Sequence, residues 1–257
     1  MNHTSFNKTD KSDLTNIKLT LQYDGTRYQG WKRPDKGSND HTVSYKIETV
    51  LEKLTDTPIT LYSGARTEPG VHAEALIINC FVPSSFSAQK IRTELNQYLP
   101  QDIAVLSAES VPERFRADLN ARARTCEYHI CTAPVYNVFT AKFQDHIFPA
   151  PDVQKMQDAA QQLLGRHDFK NFSSVRKKKG TEKELTEITF LPEKEQLTIR
   201  LTANDFLYSM APSVIGTLLE IGLGQRPSDC IELIFSGKEK AGNLCNPKGL
   251  LLTSVSY

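Results

Sequence analysis

The chain has 257 residues, 39% of them hydrophobic and 24% charged, which is enough for one large domain or two domains of ordinary size. Its 31 Lys and Arg against 30 Asp and Glu give a net charge of +1, so composition alone does not indicate a nucleic-acid binder and any basic surface must be local. No run approaches the roughly 18 apolar residues of a membrane helix, and the polar start lacks the apolar region of a signal peptide, so we expect a cytoplasmic protein.

The cysteines are odd in number and scattered, without a CxxC pair, so neither a disulfide framework nor a zinc site is predicted. We expect reduced thiols, mostly buried. Metal sites need three or more convergent ligands, and no such spacing is present, so we predict no metal. The five cysteines are Cys80, Cys126, Cys131, Cys230 and Cys245.

The first half of the chain predicts the element order βαββαβ. Residues 1–16 are polar and are expected to form a mobile tail. Alternation of apolar and polar residues then predicts a first strand in IKLTLQYD. Apolar residues at helical spacing predict helices over residues 43–54 and 91–98, each ending near a proline. The runs ITLYSG, ALIINCFV and DIAVLSAESV predict the other three strands.

The second half repeats this order with one additional helix. Its strands are predicted over residues 121–131 and in LTEITFL, QLTIRLTA and LLLTSVSY. Its helices are predicted from residues 151–152 to Gly165, over residues 214–221, and over residues 228–235.

The duplication predicts an α+β fold of two tandem ferredoxin-like (split βαβ) halves, residues 17–110 and 111–257. The halves would form one extended, mainly antiparallel sheet, with helices packed on one face and a central cleft. We expect the loop over residues 111–120 and the polar tract SSVRKKKGTEKE to lie beside that cleft, because long loops in compact domains are often functional.

The stretch SGARTEPGVHA packs polar and charged groups between two predicted strands. Gly64 and Gly70 give the backbone freedom on either side of Arg66, Thr67 and Glu68, so a tight turn can present the carboxylate. Arg66 could keep Glu68 ionised, as a nucleophile or base requires. A solvated surface pair, worth under about 1 kcal/mol, explains the same letters.

Three further features have both a functional and a structural interpretation. His72 could act as an acid or base, could form a weak metal corner with Glu74, or could be a structural histidine hydrogen-bonded to the loop. Trp31, the only tryptophan, could stack a base or cover an edge of the core. A basic run could bind a phosphate backbone or be a solvated loop. It consists of Arg176, Lys177, Lys178 and Lys179.

Six blocks resemble, in family order, those of the tRNA pseudouridine synthase A family, and they span nearly the whole chain after the tail. They are YDGTRYQGWKR, GARTEPGVHA, LNQYLPQDIAV, DFKNFSS, FLYSM with VIGTLLEIG, and KGLLL. The resemblance implies two ferredoxin-like halves around a basic cleft, in a homodimer that binds tRNA. Members isomerise uridines of the anticodon stem-loop to pseudouridine without cofactor or metal.

The family nucleophile is an aspartate in a turn usually written GRTDAGVHA. It attacks the ribose or, on another account, the uracil; the glycosidic bond breaks, and the base rotates and rejoins through carbon. The resemblance puts Glu68 at this catalytic position. It implies substrate-binding roles for Arg66, Thr67, His72, Cys126 and Tyr128. We expect RNA-binding residues at Arg33 and in the basic run Arg176, Lys177, Lys178 and Lys179.

Two departures from the family pattern concern the reacting groups. Glu68 keeps the charge of aspartate but adds a methylene, which moves the carboxylate by about 1 Å or more, and such a misplacement can cost around a hundredfold in rate. Cys126 stands where members carry a tyrosine that packs on the target base. Tyr128 lies about 7 Å further along the strand and is a doubtful substitute.

Three departures remove cations. Asp118 and Glu184 replace arginines of the family segments F-x-A-R and T-x-x-R, and carboxylates there should weaken RNA binding. Pro212 replaces the arginine of M-V-R, which in the family pairs with the catalytic aspartate. Proline offers no charge, although it is tolerated in a first helical turn.

The leading hypothesis is a family member that binds the tRNA anticodon stem-loop with reduced affinity and has weak or lost isomerase activity. The second is an active tRNA pseudouridine synthase that uses Glu68 as nucleophile. The third is a protein-binding scaffold or a different enzyme that uses Glu68 and His72 on a small molecule.

Overall fold

The computed structural model describes residues 13–32, 40–175 and 179–257, and these residues form one mixed α+β architecture. Its sheet has the order β4-β1-β3-β10-β5-β9-β8-β7, with β2 paired to β3 and β6 paired to β5. The strands are β1 Leu14–Tyr23, β2 Tyr62–Ser63, β3 His72–Pro83, β4 Ile103–Ser110, β5 Ala123–Cys131, β6 Asp145–His146, β7 Gly165–Asp168, β8 Glu182–Glu193, β9 Gln196–Ala203 and β10 Leu250–Ser256. The helices are α1 Val43–Thr55, α2 Ala88–Tyr98, α3 Ala117–Asn120, α4 Val153–Ala160, α5 Met210–Gly222 and α6 Cys230–Phe235.

The two halves have the same strand order, which confirms the predicted duplication. The first half is ordered β4-β1-β3-β2, and the second half is ordered β10-β5-β9-β8. Both correspond to the 4-1-3-2 order of a split βαβ unit. The halves join where β10 pairs in parallel with β3, with Leu251 opposite His72 and Leu252 opposite Ala73.

Alternating side chains bury one face of this sheet. On β1, Ile17, Leu19 and Leu21 are fully buried, and the residues between them are more exposed. Three helices begin where a side-chain oxygen accepts a hydrogen bond from a first-turn N–H, which is the ordinary N-cap arrangement. These caps are Thr42 for α1, Ser87 for α2 and Asp152 for α4.

The structure differs from the sequence prediction at several boundaries. Strand β1 begins at Leu14 and so includes the last three residues of the expected tail, because Asn16 is buried and its amide donates to the carbonyls of Pro112 and Phe115. The predicted strand ITLYSG pairs only over Tyr62–Ser63. Strands β6 and β7 and helix α3 are too short to leave a periodic pattern.

All five cysteines are free and buried, as predicted. In the described part of the chain, no helix is long and apolar enough to cross a membrane.

Candidate active site

A cleft of about 690 Å³ opens between the two halves. Its wall in the first half is the loop over residues 63–68, and its wall in the second half is the connection from β9 to α5. Strands β5 and β10 contribute to the lining through Cys126, Leu250 and Leu252. The predicted motif and three of the departures, Glu68, Asp118 and Cys126, therefore share one cleft.

Close backbone contacts hold the SGARTEPGVHA loop against residues 28–31. The Trp31 N–H donates to the Thr67 carbonyl at 3.0 Å, and the Gly70 N–H donates to the Tyr28 carbonyl at 3.2 Å. A Cβ on Gly30 would lie 2.5 Å from the Thr67 oxygen, so only glycine permits this approach. Trp31 is buried in the core and does not line the cleft, which favours the packing interpretation of that residue.

A hydrogen bond with the buried residue Tyr23 fixes the side chain of Thr67. The hydroxyls of Tyr23 and Thr67 lie 2.7 Å apart. Burial raises the pKa of Tyr23 well above its ordinary value, so this hydroxyl stays protonated and can donate. Thr67 thus lines the cleft with its backbone and its side chain both engaged.

The Glu68 carboxylate reaches the start of α5. Its Oε1 accepts a 2.8 Å hydrogen bond from the backbone N–H of Ser209, the residue before α5, whose φ of 64° turns the chain into the helix. The partial positive charge of a helix N-terminus favours a carboxylate at this place. Within the described residues, no Lys, Arg or His lies within 4 Å of Glu68 as an ion-pair partner.

Burial raises the pKa of the Glu68 carboxyl above its ordinary value, and the Ser209 hydrogen bond opposes that rise. Arg66 lines the cleft but is exposed, and the structure does not bring its guanidinium to Glu68. The expected ion pair between these two residues is therefore absent from the described residues. An amide dipole holds Glu68 in place of a cation.

Cys126 faces the cleft beside Leu252, its partner across the β5–β10 ladder. Burial, followed by the nearby Glu68 carboxylate, raises the pKa of the Cys126 thiol to about 12, so it is neutral at physiological pH. Tyr128 is fully buried and does not line the cleft. Its hydroxyl donates to Asp145 at 2.7 Å, and its ring packs on Gly249. Tyr128 therefore does not supply an aromatic ring to the cleft in place of the tyrosine that Cys126 replaces.

Asp118 lines the cleft. It forms a bidentate pair with Arg116, whose Nε and Nη2 donate at 3.0 and 2.8 Å. The Arg116 guanidinium lies 3.7 Å from the centre of the Tyr62 ring. An arginine, Arg116, is thus present two residues before the family position. Its guanidinium is already paired with the carboxylate of Asp118.

The other two departures lie further from the cleft. Pro212 is buried in the first turn of α5, and its carbonyl accepts a hydrogen bond from the Cys245 N–H at 3.0 Å. Ala211, one residue earlier, lines the cleft. Glu184 is exposed on β8 and does not contribute to the lining.

His72 lies outside the cleft, at the start of β3. Its Nδ1 lies 3.0 Å from the Gly25 N–H and 3.2 Å from the Asp24 carboxylate, and it is 3% exposed. Burial lowers the pKa of His72, and the neighbouring Asp24 carboxylate opposes this decrease. These contacts favour the structural, loop-bonded interpretation of His72. In the described residues no group of three His, Cys, Asp or Glu could hold a metal ion.

Three cleft residues were not singled out in the sequence. Arg124 of β5 donates to the Gly64 carbonyl at 2.8 Å and so ties the second half to the loop of the first. Lys183 and Asp205 form an ion pair of 2.6 Å in the cleft wall. No local pattern marks these residues, because their partners lie 22 to 60 positions away.

Part of the predicted RNA-binding set cannot be placed. Arg33, Arg176, Lys177 and Lys178 lie outside the described residues. Lys179 is exposed and does not line the cleft, whereas Ser174 and Val175, just before the basic run, do.

Comparisons with known proteins show the family of this chain. A family model described as tRNA pseudouridine synthase matches residues 159–257. A protein of Bacillus cereus named tRNA pseudouridine synthase A 2 is 36% identical over 247 residues, covering 95% of this chain and all of that protein. The chain belongs to the tRNA pseudouridine synthase A family.

Other members are similarly close to this chain. The tRNA pseudouridine synthase A 2 of Clostridium tetani is 33% identical over 94% of this chain and 98% of its own length. Among solved structures, the archaeal box H/ACA sRNP Nop10-Cbf5 complex matches with a TM-score of 0.39 and 9% identity, over 97% of this chain and 51% of that one. Glu68, which the resemblance puts at the catalytic position of the pseudouridine synthase A family, lines the cleft.

Proposed function

We propose that this member of the pseudouridine synthase A family binds the anticodon stem-loop of tRNA in the cleft and isomerises uridine weakly or not at all. One observation carries the proposal. The only carboxylate at the catalytic position, Glu68, is held by a backbone N–H and has no ion-pair partner among the described residues. The resemblance implies an arginine partner for that carboxylate in other members.

The chemistry requires an ionised nucleophile aimed at one atom of a rotated-out nucleotide. The Glu68 carboxyl is partly buried and has no cation beside it among the described residues, so its pKa is raised and a larger fraction is protonated and unable to attack. The additional methylene moves the carboxylate by about 1 Å, which is a large error for a reacting atom. Cys126 offers no ring on which the uracil could stack.

The charges of the cleft support weakened rather than absent RNA binding. Four cations and three carboxylates line it in the described residues, so its local charge is positive but small. The cations are Lys32, Arg66, Arg124 and Lys183, and the carboxylates are Glu68, Asp118 and Asp205. A homodimer and a cytoplasmic location remain predictions from the sequence.

A second candidate is an active synthase in which Glu68 is the nucleophile. The observation that favours it is the hydrogen bond from Ser209, which orients the carboxylate within the cleft and lowers its pKa relative to burial alone. In that case Ser209 and α5 supply, through an amide and a helix dipole, the stabilisation that a guanidinium supplies elsewhere.

Pseudouridine mapping on unmodified tRNA, with enzyme in excess, separates the two candidates. We expect little or no pseudouridine, no full recovery in Glu68→Asp, and partial recovery in the triple variant Glu68→Asp, Cys126→Tyr, Pro212→Arg. Stoichiometric conversion by the unmodified chain, lost in Glu68→Gln, would establish the second candidate. Binding to tRNA no tighter than to unrelated RNA would remove the proposal altogether.

A further inference from the structure

In the cleft wall, the carboxylate of Asp205 forms an ion pair with the ammonium group of Lys183. Lys183 Nζ donates to Asp205 Oδ2 at 2.6 Å, and Arg124 Nε lies 3.6 Å from Asp205 Oδ1. The Asp205 side chain is 45% exposed, against 15% for Lys183 and 9% for Arg124. The carboxylate is thus the most solvent-accessible member of the group, and an incoming anion meets it before it meets either cation.

The backbone fixes Asp205 in this place. The preceding residue, Asn204, exchanges hydrogen bonds with Glu184: its N–H donates to the Glu184 carbonyl, and its side-chain oxygen accepts from the Glu184 N–H, both at 3.0 Å. The Asn204 carbonyl also accepts a hydrogen bond from Arg124. Asp205 therefore extends from an anchored strand end, and its ion pair is not a chance contact of a mobile loop.

The two cations are not equally available. Arg124 also donates to the carbonyls of Gly64, Ala121 and Asn204, so its guanidinium is committed to holding the cleft together. The Lys183 ammonium group has no partner other than Asp205 in the described residues. If Asp205 lost its charge, Lys183 is the cation that would become free to bind another anion.

We propose that Asp205 is an internal competitor of the RNA phosphates: it occupies Lys183, so RNA gains that cation only by displacing a carboxylate. The inference rests on the proposed function, because it assumes that the cleft binds RNA. Carboxylate and phosphate oxygens accept the same ammonium hydrogen bonds, so the exchange replaces one ion pair by another. Asp205 thereby lowers both the affinity for RNA and its dependence on salt.

The test compares Asp205→Asn with the unmodified chain in filter binding to unmodified tRNA, between 50 and 200 mM salt. We expect binding to become about three- to tenfold tighter at the lowest salt. The slope of log affinity against log salt should steepen by about 0.7 to 0.9, as for one added phosphate contact. In the Lys183→Met background, Asp205→Asn should give less than about a twofold gain.

A matched control removes a carboxylate elsewhere. Glu109 pairs with Lys18 on the edge strand β4, outside the cleft lining, so Glu109→Gln makes the same change in net charge. We expect it to leave RNA affinity within about twofold. Equal gains from both variants would reduce the effect to net charge and overturn the proposal, as would unchanged affinity in Asp205→Asn or a gain that persists in Lys183→Met.

The outcomes are separable from failure of the proposed function. If the unmodified chain and Asp205→Asn both fail to bind tRNA better than unrelated RNA, the function proposed for the cleft is wrong. If tRNA binds specifically and Asp205→Asn changes nothing, only the competitor role is wrong. Thermal unfolding of each variant verifies that the compared proteins are folded.

Discussion

The Glu68 carboxylate is stabilised by backbone N–H groups, those of Ser209 and of Glu68 itself, which do not offset its desolvation. The Ser209 N–H is its only strong partner from another element in the described residues. A single hydrogen bond to a charged acceptor is worth about 1.5 to 3 kcal/mol, which is less than the cost of removing a carboxylate from water. The protonated form is therefore favoured in the folded protein relative to the unfolded chain.

The raised pKa of Glu68 predicts how its removal affects stability. Below its pKa in the unfolded chain, the carboxyl is neutral in both states. As pH rises through the folded pKa, the folded protein must accept a partly desolvated charge and loses stability. Glu68→Gln keeps an oxygen for Ser209 and avoids that charge. We expect it to raise the Tm at pH 7.5 by on the order of 2 °C, and by less at pH 4.

Differential scanning calorimetry across this pH range measures the change in Tm. Glu113→Gln, a substitution of an exposed glutamate, is the control. A Tm that falls in Glu68→Gln at pH 7.5 would contradict the raised pKa of Glu68. The same variant thus reports on the electrostatics of the site without any RNA.

The sequence was sufficient to locate this residue and insufficient to describe its surroundings. The glycines and polar letters of SGARTEPGVHA indicated a presented carboxylate, and the structure places it in the cleft. The partner that holds it, Ser209, lies 141 positions away and acts through its backbone, which has no sequence pattern. Arg66, two residues away, was the obvious candidate and is not the partner.

At the scale of elements, the loop that carries Glu68 depends on contact with residues 28–31. Gly30 has a φ of 83° and lets the chain approach Thr67 closely enough for the Trp31 hydrogen bond. The residues of QGW therefore position the neighbouring loop, and with it Glu68, although they lie far from Glu68 in the sequence.

Gly30→Ala should destabilise the protein by about 2 to 4 kcal/mol, since the added Cβ meets both an unfavourable φ and the Thr67 oxygen. Gly224→Ala is a matched control: its φ is 69° but nothing lies within 4 Å of the added Cβ, so about 1 to 2 kcal/mol is expected. Chemical denaturation gives both values. Equal losses in the two variants would show that the contact with Thr67 has no energetic role.

Periodicity predicted most of these elements because it follows from burial of one sheet face. It could not predict β6 or β7, whose two and four residues pair only because the longer strands β5 and β8 are already there. The strand predicted from periodicity in LTEITFL is also shorter than β8. The charged residues at both ends of Glu182–Glu193 belong to a strand with a solvent-facing side, so they do not show the apolar alternation.

At the scale of the whole molecule, several contacts connect the halves. Besides the hydrogen bond from Ser209 to Glu68, they include the parallel pairing of β10 with β3, the hydrogen bond from Arg124 to Gly64, and the ion pair of Lys142 with Asp24. Phe143, next to Lys142, packs edge-on against the His72 ring at 5.0 Å. The connection after β5 therefore fastens the second half onto the end of β1.

Asp24 makes this fastening sensitive to pH. Burial alone would raise its pKa, but hydrogen bonds from Lys142 and Thr26 outweigh burial and lower the pKa to about 2. Its stabilisation is present above the unfolded pKa of about 4 and is lost as pH falls toward 2. Asp24→Asn should therefore cost about 1 to 2 kcal/mol at pH 7, less than the full shift because Lys142 is half exposed.

Urea unfolding at several pH values tests this, with Lys142→Met and the double variant completing a cycle. We expect the two single losses not to add, and the difference between Asp24→Asn and the unmodified chain to disappear near pH 2. Additive losses would show that Asp24 acts through Thr26 and His72 and that Lys142 is incidental.

The position of β10 affects how the protein can fold during its synthesis on the ribosome. This strand lies in the middle of the sheet, between β3 and β5, yet it is translated after both. Strands β1, β3 and β4 can pair as soon as they emerge, but β3 and β5 must wait for residues 250–256 before they have a neighbour between them. Leu250 and Leu252 also line the cleft, so a nascent chain cannot hold its RNA substrate in this cleft until synthesis has passed that strand.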